Sequence, residues 1–347
     1  MLLQSAGEPG GLESFGFRLS DHRGAEMNVL RGLVVGAVAA CGCSGGSSAG
    51  PAAANGAVPM GQTPASVTTA RNTGASNSGV ASVVTMNLQS FDVPPNTEAW
   101  KCQDFKTPFG NQQVDVIQWE SQMTPGSHHM TLFETPNAND GPLTDCPNGP
   151  TNGDTLYAFG SQISKAVATY PDGVGETIPT GMGFTINSHY VNTTAESIHA
   201  EVMVKISVAA AGVVTQHAGA WEGLLYSISV PPTQGKPVTV GSTCKLPQDM
   251  TVFAIAGHMH EHGTNFIAKS GGQVLARTDE VASVPTVFSP PLQFKKGDDI
   301  TWSCDYTNAT GQTLVYGPSA LTNVMCNTIV AFYPVMDLNN PILPCVQ

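Results

Sequence analysis

Beyond residue 85 every apolar run is short, rich in β-branched and aromatic residues, and closed off by Gly, Pro, Asn or Asp. The segments 114–119, 130–133, 201–208, 224–230 and 328–333 either alternate apolar with polar residues or are solidly apolar. Alternation with a period of two puts one face of an extended strand in a core and the other in water. Branched and aromatic side chains also suit a pleated surface. Nothing from Met86 onward carries the period of a helix longer than two turns. The turns recur at intervals typical of sandwiches, so the expected fold is all-β.

With 347 residues the chain can form one large or two ordinary domains with a real core. The motif-bearing segments fall into two halves of similar size, and we place the boundary near Gly219, giving domains 86–218 and 219–347. The balance of 14 Lys and Arg against 26 Asp and Glu, a net charge of -12, would repel phosphate backbones. Nucleic acid is therefore not expected as a partner.

The segment Leu30–Cys41 places Arg31 before an apolar run that ends in small residues, Val38-Ala39-Ala40-Cys41. It is too short to span a membrane and reads as the core of a signal peptide, residues 27–41. Its end resembles the lipobox of bacterial lipoproteins, with Cys41 as the lipidated residue. The plainer alternative, a short buried strand, lacks any core-forming neighbour in the Gly/Ser/Ala-rich stretch that follows. Met27 stands where such a signal begins, so residues 1–26 read as an upstream extension. Residues 42–85 read as a flexible low-complexity tether. An exported, envelope-bound lipoprotein facing the periplasm or the outer surface is expected, held to the membrane by its N-terminal lipid alone, and a monomer. In an oxidising compartment the even set Cys102, Cys146, Cys244, Cys304, Cys326 and Cys345 implies three disulfides; Cys43, in the tether, is assigned no pairing.

Three groups of histidines carry the chemistry. His128 and His129 follow a Pro-Gly turn and precede a strand; adjacent strand residues point to opposite faces, so both rings reach one ion only at a strand end or bulge. By themselves they could equally be one buried and one exposed histidine. His189 lies inside a strand-like run, where a hydrogen-bonded core histidine is the plainer reading, and it gains interest as a third ligand for that pair. His258 and His260 follow the run 251–256, and residues two apart on a strand share a face. This spacing aims two imidazoles at one point. It also occurs in zinc hydrolases, where His262 would be a candidate third ligand, although its place between Glu261 and Gly263-Thr264 suggests a turn.

In order along the chain, His128-His129, isolated His189, His258-x-His260 and Met325-Cys326-Asn327 resemble the copper type II, ascorbate-dependent monooxygenases, the family of peptidylglycine α-hydroxylating and dopamine β-monooxygenases. The resemblance covers roughly residues 86–347. It implies two tandem antiparallel, jelly-roll-like β-sandwiches, each holding one copper, facing each other across a solvent-filled cleft. His128, His129 and His189 would hold the electron-storing copper; His258, His260 and Met325 would hold the oxygen-activating one and be catalytic. A thioether is a soft ligand that favours Cu(I) over zinc. The resemblance also implies the pairs Cys102–Cys146, Cys244–Cys345 and Cys304–Cys326, each worth about 2–4 kcal/mol. Asn327 matches a substrate-contacting asparagine. Ala256 and Ile329 stand where the amidating members carry an arginine and a tyrosine, so a peptidylglycine substrate is not implied.

The expected activity is that of a two-copper monooxygenase. It would hydroxylate a C–H bond of a small organic substrate with O2 and a reduced, ascorbate-like donor as its partners. The alternative is an exported copper-binding or copper-sequestering lipoprotein without catalysis.

Overall fold

A computed structural model describes residues 62–71, 79–150 and 155–347. The signal segment 27–41 with its Cys41, the upstream residues 1–26 and the tether as far as residue 61 lie outside the described residues. Among those described there is no helix, and none therefore long and apolar enough to cross a membrane.

The strands form two groups, and no strand of one pairs with a strand of the other. In the first, a seven-stranded sheet (Ser66–Arg71, Val80–Asn87, Val202–Ala209, Val114–Met123, Val174–Ile178 and Gln216–His217, with Lys165–Thr169 beside Val114–Met123) covers a five-stranded one. The latter runs Thr144–Asp145, Thr97–Phe105, Met182–Asn192, Ser127–Pro136, Leu156–Ser161. Alternate residues such as Val84 and Met86, Val204 and Ile206, and Met130 and Leu132 point inward around Trp119 and Phe184. In the second group, a five-stranded sheet runs Thr286–Phe294, Met250–Met259, Cys326–Tyr333, Gly219–Leu224, Ile342–Val346. It packs on a four-stranded sheet, Val238–Lys245, Asp299–Tyr306, Gly263–Ser270, Gln273–Thr278. Here Trp221 and Trp302 meet edge to face at 6.0 Å in the core.

The expected tether needs correction at its end. Ser66–Arg71 and Val80–Asn87 pair antiparallel over six residues and extend the first sheet, so folded structure begins well before residue 85. Threonine and valine are good strand formers; a strand exposed at a sheet edge needs few large apolar residues, and the Ser/Thr-rich stretch therefore resembled a linker.

Cys102–Cys146, Cys244–Cys345 and Cys304–Cys326 are disulfide-bonded. These are the pairings the resemblance implies, and they suit a chain matured outside the cytosol, in a periplasmic or extracellular space.

In the strand Met250–Met259, a bulge after Val252 resets the alternation. Ile255 and Met259 then face the core, while Ala254, Ala256, His258 and His260 face away from it. Gly257 sits against Phe266, and a Cβ there would lie inside the van der Waals surface of that ring. Gly257→Ala should therefore cost about 1–3 kcal/mol through overpacking beside the His258 strand. Urea denaturation checks this, and a loss below about 0.5 kcal/mol would contradict the packing described.

Candidate metal centre

Two outer sheet faces meet, and each brings metal-ligating side chains to the junction. On the first, Gly126, with φ of 97°, turns the chain into Ser127–Pro136. His129 pairs with His189, yet Tyr190 pairs with Ser127, so His128 is the extra residue of a bulge. That bulge lets consecutive histidines serve one point. The rings of His128, His129 and His189 lie 4.6–5.2 Å apart, and one nitrogen from each can be chosen so that all three lie within 4.8 Å of one another. Trp100, across the sheet from His189, stacks on it at 4.3 Å and fixes its ring plane.

On the second face, His258 pairs with Asn327 and Met259 with Cys326; the next step of that register sets His260 beside Met325. Cys326 turns into the core toward Cys304, and Met325, one residue earlier, is buried outside that core. The His258 and His260 rings are 5.0 Å apart. His260 Nδ1 lies 3.3 Å from the Asn323 carbonyl, the bond that leaves Nε2 as the donor atom for a metal. Asn327 is fully buried; its Oδ1 accepts a hydrogen bond from the Leu225 amide at 3.1 Å, while Nδ2 has no partner. His262 adopts a left-handed φ of 73° in a turn and is not grouped with the other ligands.

The expected solvent-filled cleft is not found between the two sets. The His128 ring is 6.4 Å from that of His260, and His128, His189, His258, His260 and Met325 are each at most 3% exposed. The five histidines form one continuous cluster, in which His129 alone is only partly buried. The width of a gap between two sheet packs is set by how the packs dock, which no local pattern of residues records.

Burial dominates the electrostatics here. It holds His128 and His129 well below the usual imidazole range, His189 down to about 3 and His260 to about 4, with the neighbouring rings reinforcing the effect at His128 and His129. The rings are therefore neutral at pH 7, with lone pairs available. Both nitrogens of His128, and Nδ1 of His129 and of His189, are buried without a hydrogen-bond partner, while His189 Nε2 lies 3.3 Å from the Glu98 carboxylate. Such atoms are costly unless something binds them, and a cation is the partner this donor set fits.

Beside the cluster, a cavity of about 340 Å³ lies between the halves, walled by Tyr157, Phe159 and Tyr170 on one side and Phe253, Ala256 and Ile329 on the other. Ala256 and Ile329 lie on the same strand faces as His258 and Asn327, two residues along each strand, so the cavity wall is built from the strands that carry the second set. Sequence reasoning missed three buried carboxyls, of which Glu176 lines the cavity. Glu176 Oε2 accepts bonds from Tyr170 (2.5 Å) and Trp119 (2.9 Å), and burial pushes its carboxyl up to about 7. Glu134 is pushed well up by burial and by Glu176. Glu222, paired with Ile329 across the sheet, is pushed up to about 7 by burial. Their signal was available: each is a charged residue inside a run of buried ones.

Residues 218–342 match the family described as copper type II ascorbate-dependent monooxygenase, C-terminal domain. Among solved structures the chain is similar to PNGase F, a glycosylasparaginase from Flavobacterium meningosepticum, at 10% identity and a TM-score of 0.35 over 72% of this chain and 95% of that one. It is also similar to the major capsid protein P2 from bacteriophage PM2, at 8% identity and a TM-score of 0.31 over 72% and 96%.

The Glu222 carboxyl has a folded-state pKa above its ordinary 4.5, so the folded chain binds this proton more tightly than the unfolded one. Its contribution to stability is present below pH 4.5 and is lost as pH rises to about 7. Glu222→Gln should therefore stabilise the chain at pH 8 by about 1–3 kcal/mol and change little at pH 4.5. Thermal melts across that range check it; parallel curves for the two proteins would refute it.

Proposed function

We propose, from the match of residues 218–342 to the C-terminal domain of the copper type II ascorbate-dependent monooxygenases, that the whole chain is a two-copper monooxygenase hydroxylating a C–H bond of a small, largely apolar organic molecule. One atom of O2 enters the product and the other leaves as water, with two electrons from a reduced, ascorbate-like donor. The observation that carries this reading is the cluster of five histidines, four of them nearly fully buried, with buried Met325 beside it and an apolar cavity walled by Ala256 and Ile329 of the same two strands.

In this reading residues 86–218 and 219–347 are two domains contributing one ligand set each, a division supported by the change of strand partners between His217 and Gly219. His128, His129 and His189 hold one ion. His258, His260 and Met325 would hold the other, and the thioether would bias that set toward Cu(I). Bound copper would supply the one-electron steps and the activation of O2. The chain's own residues exclude water, keep the imidazoles unprotonated and present the substrate. Ala256 and Ile329 offer apolar contact with no charge to grip a carboxylate, which favours a substrate whose reacting end is hydrocarbon. The Asn327 amide N–H is the one polar donor proposed to contact it. The chain acts outside the cytosol, and we propose Cys41 as its lipid anchor.

Copper loading of the full chain should reach two ions per chain. Met325→Leu should abolish product formation while leaving the Cu(II) spectrum of the His128, His129, His189 set unchanged. One ion or none, or turnover surviving Met325→Leu, would sink the assignment. Ala256→Phe should narrow the cavity and raise KM for apolar probe substrates by about tenfold or more. Tight copper binding with no product from aliphatic or aromatic probes would point instead to a sequestering role.

A further inference from the structure

A carboxylate outside both ligand sets lies where they meet. Glu98 shares its strand face with Trp100, the residue paired with and stacked on His189. Its Oε1 is buried without a hydrogen-bond partner and lies 3.3 Å from His189 Nε2. Its Oε2 accepts a hydrogen bond from Ser319 Oγ of the other half, also at 3.3 Å, and the Ala320 backbone adds a further bond to the carboxyl. Ser319 begins a turn that closes on itself: the Asn323 amide donates to the Ser319 carbonyl at 3.0 Å and the Ser319 amide donates to Asn323 Oδ1 at 3.2 Å. The same turn holds the second set, because the Asn323 carbonyl is 3.3 Å from His260 Nδ1.

We propose that Glu98 is a positioning residue joining the two ligand sets: it orients His189 from one half and, through the Ser319–Asn323 turn of the other, His260. This rests on the reading of both sets as copper sites. A metal-bound histidine commonly gives its second ring N–H to a carboxylate, which fixes its tautomer and raises its basicity. With His189 Nε2 turned to Glu98 and its ring plane set by Trp100, Nδ1 is the atom left for the metal. Serving both halves, this carboxylate makes the orientation of one set depend on the docking of the other. Such a coupling is reciprocal.

The test uses the full chain in a His258→Ala, Met325→Leu background, so that copper reports on the first set, with chelator competition and Cu(II) electron paramagnetic resonance as readouts. Glu98→Ala should weaken copper binding there by about 10- to 100-fold and shift the hyperfine splitting. Glu98→Gln, which keeps an acceptor oxygen, should stay within about threefold of the parent. Ser319→Ala, in the other half and on no ligand, should move the affinity in the same direction as Glu98→Ala. In the copper-free chain with both sets intact, Glu98→Ala should speed amide hydrogen exchange at Ala320 and Asn323 by about tenfold without lowering Tm appreciably. Unchanged affinity and spectrum in Glu98→Ala, or a Glu98→Gln variant as impaired as Glu98→Ala, would overturn the proposal. So would exchange that does not respond. A parent chain that binds no copper would instead refute the proposed function, and the exchange measurement would still decide whether Glu98 ties the halves together.

Discussion

Four imidazoles and a thioether, with a fifth imidazole partly covered, are buried between two sheet faces, and the rest of the molecule answers to that. Removing polar nitrogens from water without giving them partners is costly. The cost is tolerable where a cation takes the lone pairs, and it is limited further because burial keeps the His128, His129, His189 and His260 rings uncharged. The two sheet packs must therefore supply rigidity from elsewhere. Each places a tryptophan in a core behind the ligand-bearing sheet, Trp119 in the first and Trp302 in the second. Trp302 also donates its indole N–H to the Cys326 carbonyl at 3.0 Å, directly behind Met325. The disulfides act at the same places: Cys326 is tied to Cys304 next to Met325, and Cys102 is tied to Cys146 two residues from Trp100.

Rigid sheets alone would not bring the sets together; irregularities in the strands do that. The bulge at His128 turns consecutive residues to one side, and the bulge near Phe253 shifts the alternation so that Ala254, Ala256, His258 and His260 share the outward face. Bulges cost ladder hydrogen bonds and re-aim side chains, which is why they collect next to functional sites. Without the second one, the parity set by Val252 in the core would turn His258 and His260 inward against Phe266.

Much of this was legible in the residues, for reasons that can be traced. The His258-x-His260 spacing reads directly because a strand has period two, and the neighbouring His128 and His129 demanded a bulge or strand end on the same ground. The opposite directions of Met325 and Cys326 follow from the same alternation, and His262 was correctly set in a turn by its neighbours. What could not be read was anything fixed by docking. The family resemblance implied a solvent-filled cleft, whereas the sets lie with His128 and His260 rings 6.4 Å apart. Glu98 and Ser319 are 221 residues apart in the chain, so their contact leaves no local trace. Glu176 and Glu222 did leave one, as charges inside apolar runs, yet a strand pattern alone does not tell a buried carboxyl from an outward-facing one. The strand at Ser66–Arg71 was hidden by composition, since its Ser and Thr serve a sheet edge as well as a linker.

The Glu176 carboxyl lining the cavity bears on how a substrate would be held. Toward the second ligand set the cavity walls are Ala256 and Ile329, which offer no directional contact, so beyond the proposed Asn327 N–H a substrate's orientation would come from the polar part of the lining. There Glu176 receives two donors on one oxygen, Tyr170 and Trp119, whereas both oxygens of nearby Glu134 lack any hydrogen-bond partner. Two carboxyls in low dielectric, with donors for only one, resist ionising together, and the pair retains a proton near neutral pH. The cavity thus has a polar wall at Glu176 and apolar walls at Ala256 and Ile329, on the strands that carry His258 and Asn327. In the proposed reading, a molecule anchored by a polar group at Glu176 would present a hydrocarbon segment to the ligand cluster. Selectivity among C–H bonds would then follow from the distance between that anchor and the ligand cluster rather than from contacts at the reacting carbon.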